Sequence, residues 1–157
     1  MQDSRWYLVC HKAGRDNLFK AQAGLERLSV NSFSPLIRTI KPRADGGKRM
    51  SVEPLFPGYF FIEFDVEKIA VSKIKTIPGF SSFVQFGNEL KPLHDSLINE
   101  LMSLPMCLIE NKHKERVIPN PHTLSGKNKE IIEQIAKNKD KLSRTTMLLA
   151  FIDSINT

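Results

Sequence analysis

At 157 residues, 41% of them hydrophobic, the chain is long enough for one domain with a proper core, or for a domain with a small appendage. No apolar run approaches a bilayer-spanning length, and MQDSRWYLV lacks the basic-then-apolar layout of a secretion signal, so a cytoplasmic protein without a membrane partner is expected. The net charge of +6 is carried by residues 1–50, where ten Lys/Arg face four Asp/Glu; an excess so placed points to a polyanionic partner, nucleic acid first.

Arg5–His11 (RWYLVCH) reads as a first strand, short and rich in aromatic and β-branched residues. After the loop KAGRD, Asp16 is expected to cap a helix running to about Leu28. Leu18, Ala21, Leu25 and Leu28 recur there at helical spacing. Two extended arms follow, Pro35–Lys41 and Lys48–Glu53, joined by the turn Asp45–Gly47, whose glycines suit the positive φ of a hairpin. Arg38, Lys41, Arg43, Lys48 and Arg49 make this hairpin a basic finger opposed only by Asp45.

Gly58–Phe64 is the next strand. Successive side chains alternate between faces, so Phe60, Ile62 and Phe64 should point into a core. Tyr59 and Phe61 then occupy the side that ought to meet water. EKIAVSKIKT is expected to form a second helix ended by Pro78-Gly79. Ser82–Phe86 should be another strand, and His94–Leu104 a third helix with Leu97, Ile98 and Leu101 inward. This order of elements describes an α+β domain around an antiparallel sheet, ending near residue 104.

From Pro105 to Gly126 the composition shifts to Pro, Asn and charge without a clean period, which reads as a linker. Beyond it, KNKEIIEQIAKNKDK and LSRTTMLLAFIDSI carry helical apolar stripes: Ile131, Ile132 and Ile135 in one, Met147, Leu148, Phe151, Ile152 and Ile155 in the other. Joined by a short turn they form a helical hairpin, whose apolar faces need another surface to lie against.

Titratable groups suggest no chemistry of their own. Cys10 and Cys107 form no C-x-x-C pair, and His11, His94, His113 and His122 are scattered, so neither a disulfide nor a metal site is expected. Glu63 and Asp65 lie two apart at a strand end, but no nucleophile or phosphate loop accompanies them. An enzyme is not expected, and no cofactor signature is present.

WYLV, KAQAGLERL, EPLFPGYFFIEFD and SSFVQFG, in this order and spacing, resemble the N-terminal (NGN) domain of the NusG family over about residues 5–104, and within it the specialised RfaH branch. The pattern EPLFP-x-Y-x-F-x-EFD carries the resemblance, and RTTMLLAFI, Arg144–Ile152, resembles the second helix of the RfaH-type regulatory domain. The resemblance implies three parts: a polymerase-binding domain over 1–104, a linker over 105–126, and a shortened counterpart of the C-terminal KOW domain over 127–157. It also implies a monomeric transcription elongation or antitermination factor that rides on bacterial RNA polymerase and suppresses pausing and termination in specific operons.

Residue by residue, the resemblance implies that Phe56, Pro57, Tyr59 and Phe61 receive the clamp helices of the largest polymerase subunit. Ala70, Val71 and Ser72 stand where relatives carry a His-Thr-Thr contact to the opposite lobe's gate loop. Lys12, Arg15 and Lys20 fall at or near positions that contact the non-template DNA strand. The base-reading positions depart: an arginine is replaced by Ala13, a histidine by Gly24 and a Thr-Arg pair by Ile77-Pro78, with two residues inserted around Asp16–Asn17.

In RfaH-type proteins the C-terminal domain is a helical hairpin that masks the clamp-binding patch and refolds to a five-stranded barrel on release. Here GKNKEIIEQIAKNKDK lacks the glycines and alternation of a barrel, and five residues follow Ile152, so the barrel alternative is expected to be lost. The resemblance sets Arg144 opposite Glu53 as an interdomain ion pair, with Leu148, Phe151 and Ile152 facing the patch.

A second reading comes from GYFFIEF, which resembles part of the RNP1 strand of an RNA-recognition motif, a fold whose exposed aromatics stack single-stranded bases. Pro57 and Phe60 stand where that motif has a basic and a small residue.

Overall fold

The computed structural model describes residues 3–103, 126–138 and 140–155, without the side chains of 38–41 and 126–129. Two strands form its centre. β1 (Arg5–His11) pairs antiparallel with β5 (Tyr59–Phe64), in a register that sets Tyr7 against Ile62 and Val9 against Phe60. β2 (Asn31–Phe33) adds to the outer edge of β5, and β6 (Phe80–Phe83) to that of β1, giving a four-stranded sheet in the order β2-β5-β1-β6. β2 was not foreseen, because three residues are too few to show a period.

One face of this sheet meets α1 (Arg15–Arg27), with Leu18, Ala21 and Leu25 buried against Tyr7, Val9, Phe60, Ile62 and Phe64. The expected inward face of β5 is thus the core face. The helix starts differently from expectation. Gly14, with φ 98°, is its N-cap, and Asp16 lies in the first turn, where a carboxylate still favours the positive end of the helix dipole. Asn17 Nδ2 donates to the Ala13 carbonyl at 2.7 Å.

The second expected helix shrinks to α2 (Val71–Lys75). Asp65 takes the preceding residues into a turn: its side chain accepts from the Glu67 amide at 2.9 Å, and its carbonyl from the Lys68 and Ile69 amides at 3.0 Å each. β6 begins two residues before the expected Ser82, since Gly79 (φ 87°) turns the chain straight back into the sheet. A bulge against Cys10 and His11 turns both Phe80 and Phe83 inward although they are three apart. Phe86 and Glu89 instead bridge across a tight turn with positive φ at Gly87 and Asn88.

The chain falls into two compact units. The first holds this sheet, α1 and α2, together with the last turn of α5 from Ile152. The second holds β3 (Leu36–Pro42), β4 (Lys48–Pro54) and the segment to Pro57, with α3 (Asp95–Met102) from Ser96, α4 (Gly126–Lys137) and α5 (Lys141–Ile155) to Phe151. Its buried side chains include Ile37, Leu55, Phe56, Leu97, Ile98, Leu101, Ile132, Ile135 and Leu148. β3 and β4 make a two-stranded hairpin closed as expected, with Gly46 at φ 86° and Asp45 Oδ1 accepting from the Gly47 amide at 2.9 Å. The expected linker, Cys107, His113 and His122 lie outside the described residues, apart from Gly126, which opens α4.

Candidate functional site

β5 carries aromatic rings on both faces. On the face opposite the core, Trp6 and Leu8 of β1 lie beside Glu63 and Phe61 of β5, and the Phe33 ring stacks on Phe61 with centroids 6.0 Å apart. Trp6, Leu8 and Phe61 are buried, Phe61 completely at 0% exposure. On this second face Phe61 is enclosed and Tyr59 is half-buried. Burial, helped by the neighbouring Cys10, raises the Tyr59 hydroxyl above its ordinary pKa. Gly58, at φ 88°, opens the strand and lends its carbonyl to the His11 amide at 3.0 Å. In the second unit Phe56 is buried and Pro57 exposed.

The second unit gathers a polar cluster around Arg144. The turn between α4 and α5 is only three residues long, and Asp140 caps α5 by accepting from Ser143, N–H at 3.3 Å and O–H at 2.6 Å. These bonds hold the Asp140 carboxyl below its ordinary pKa, the Ser143 hydroxyl acting most. One turn on, Arg144 is 2% exposed; its Nε donates to the Leu55 carbonyl at 2.9 Å and its Nη1 to the Asn138 carbonyl at 2.8 Å. Nη2 finds no hydrogen-bond partner among the described residues. Burial lowers the guanidinium pKa, and the charges of Glu53 and Asp140 oppose that fall.

Arg144 and Glu53 are thus electrostatic neighbours, and Lys141 pairs with the same carboxylate, Nζ to Glu53 Oε2 at 3.0 Å. Sequence reasoning missed Lys141, whose only signal was its position one helical turn before Arg144. Leu148, Phe151 and Ile152 are all buried.

Lys12, Arg15 and Lys20 are exposed, the last two on α1. Ala70 is the N-cap of α2, Val71 its first residue and half-buried, and Ser72 exposed. Gly24 and Ile77 meet in the fold. A Cβ on Gly24 would lie 2.5 Å from Ile77 Cγ2, and Ile77 is itself part of the core cluster. Here the chain packs helix backbone against an isoleucine. Glu63 and Asp65 serve structure: Glu63 accepts from Asn31 Nδ2 at 3.1 Å, and Asp65 holds the turn before α2.

No helix among the described residues is long and apolar enough to cross a membrane. The antiparallel sheet with its helices is the N-terminal domain fold of NusG-type transcription factors, and two C-terminal helices, α4 and α5, follow it in the chain. The chain belongs to the NusG family: residues 4–102 match the family described as "Transcription termination factor nusG". Among solved structures it is similar to one titled "Domain interaction in Thermotoga maritima NusG", with 24% identity, a TM-score of 0.42, and coverage of 65% of this chain and 57% of that one. The chain accordingly spans little more than half the length of that relative.

Proposed function

We propose that this protein is an RfaH-type elongation and antitermination factor. In this reading Phe56, Pro57, Tyr59 and Phe61 form the patch for the polymerase clamp helices. Ala70, Val71 and Ser72 face the gate loop, and Lys12, Arg15 and Lys20 hold phosphates of the non-template strand. Phosphate contacts of that kind set affinity and salt dependence rather than sequence choice. The polymerase-binding domain spans 1–104, and the segment 127–157 is its regulatory hairpin, joined by a linker over 105–126.

The observation that carries the reading is the second apolar face of β5, where Phe61 is completely buried on the side opposite the core. In this reading the face is covered in turn by the chain's own hairpin and by the clamp helices, and aromatic anchors dominate such interfaces. The hairpin is proposed to mask this face in the free protein through Leu148, Phe151 and Ile152, with the cluster around Arg144 and Glu53 as its latch.

The test is capture of bacterial elongation complexes by the full chain. Wild-type protein should bind weakly, a variant with Leu148→Glu and Phe151→Glu should bind more tightly, and adding Tyr59→Ala to it should remove the gain. Undiminished capture after Tyr59→Ala would refute the clamp-binding assignment.

The RNA-recognition alternative needs both aromatic rings open to stack bases. The burial of Phe61 argues against it.

A further inference from the structure

Phe19 is the one aromatic side chain among the described residues that stands exposed, at 59%; the other aromatic rings are half-buried or buried. It projects from α1 on the side away from the core, since Leu18, Ala21 and Leu25 carry the buried face. Residues four apart share a helix face, so Arg15, Phe19 and Ala23 form one ridge, and all three are exposed. Ala23 adds only a methyl group beside the ring. Phenylalanine is also a poorer helix former than the lysine, alanine and glutamine that follow it, so local helix stability does not account for its presence.

The surroundings of the ring are cationic. Arg15 precedes it by one turn, Lys20 follows it, and Lys12 lies just before the helix, its amide donating to the Gly79 carbonyl at 2.8 Å. Lys73 and Lys75 of α2 are exposed too, and the turn after them packs on α1, Gly79 against Asn17 and Ile77 against Gly24. Asp16 is the acid in the first turn of α1. A membrane needs a broad apolar face, and that of α1 lies in the core. A DNA duplex keeps its bases stacked inside, with no base face open to a ring. A protein anchor works in a desolvated pocket, whereas Phe19 stands on a convex ridge between charges. An unpaired strand offers both parts, phosphates for the cations and open base faces for the ring. We infer that Phe19 is a stacking platform for an unpaired base of the strand whose phosphates Lys12, Arg15 and Lys20 hold. The inference rests on that phosphate assignment and adds a sequence-tolerant contact to it, because every base has a π-face.

The test is fluorescence anisotropy of the full chain with a labelled single strand of DNA, an abasic strand of equal length and the corresponding duplex, between about 50 and 200 mM salt. Phe19→Ala should weaken binding of the base-bearing strand at least about 5-fold, the low end of base–aromatic stacking. Its salt slope should stay that of wild type, because no phosphate contact is lost. Affinity for the abasic strand and the duplex should not change. Phe19→Leu should behave as the alanine variant does, and Phe19→Trp should bind as wild type. Gln at Lys12, Arg15 and Lys20 should instead lower the log–log salt slope by about 2.1 on both single strands, at about 0.7 per phosphate contact. An unchanged slope there, beside a loss in Phe19→Ala, would refute the phosphate assignment and keep the stacking. Equal affinity of wild type and Phe19→Ala for the base-bearing strand would overturn the inference. So would a loss of the same size on the abasic strand, or no binding of either single strand by wild type.

Discussion

Arg144 reaches the backbone carbonyl of Leu55, 89 residues earlier in the chain, through a 2.9 Å hydrogen bond from Nε. The same guanidinium donates to Asn138 at the end of α4, so one buried side chain ties both the helix turn and the strand exit before Phe56. Replacing Arg144 by Met keeps the volume but leaves two carbonyls unpaired. The expected cost is about 2–4 kcal/mol, read as a lower urea midpoint at unchanged slope. Arg144→Lys should rescue only part of it, because a single ammonium cannot reach both acceptors in a fixed fork.

Lys141 and Glu53 make the nearest ion pair to this cluster, but with unequal partners: the lysine side chain is 55% exposed, the glutamate 9%. Lys141→Ala should cost no more than about 1 kcal/mol in urea unfolding. Glu53→Ala should cost more, since it also withdraws the negative charge that offsets the burial of Arg144. A larger loss from the lysine would mean that exposure misleads here.

Gly24 and Ile77 predict an energetic coupling between helix backbone and core. Gly24→His drives a side chain into Ile77 and should destabilise by about 1–3 kcal/mol, as overpacking does. Adding Ile77→Ala should return part of that loss, so the double-mutant cycle should show coupling between the two sites. Additive effects in thermal unfolding would show that the helix simply shifts.

Asp140 gives the pH dependence a sign. Its folded-state pKa lies below the ordinary aspartate value, chiefly through the Ser143 hydroxyl, so its contribution is present above the ordinary carboxylate range. It is lost as pH falls through the depressed value. Asp140→Asn can still cap but does not titrate, so the stability difference between wild type and variant should shrink on acidification. The check is urea unfolding of both proteins from neutral pH to pH 3.

Phe61 and Tyr59 should separate cleanly in stability. Phe61→Ala removes a completely buried ring and should cost about 3–5 kcal/mol. Tyr59 is half-buried, and its truncation should cost distinctly less by thermal unfolding. Binding assays on the proposed patch are for that reason better built on Tyr59.

Much of this protein follows from local pattern. The alternation of Phe60, Ile62 and Phe64, the helical spacing of Leu18, Ala21 and Leu25, and the glycines of the 45–47 turn each mark an element, because strand and helix periods and positive φ are properties of short segments. EPLFPGYFFIEFD pointed to the family in the same way, as a contiguous string.

What the tertiary structure decided is pairing between segments far apart. The bulge that turns Phe80 inward depends on the partner strand, and the three-residue β2 exists only because β5 offers an edge. Ile77 takes the space at Gly24 across more than fifty residues of chain. Arg144 donates to the Leu55 carbonyl besides standing in the field of Glu53, which Lys141 also pairs, because a guanidinium taken out of water must satisfy several donors at once. A linear pattern shows that charges can meet; only the folded geometry shows which acceptor lies within reach.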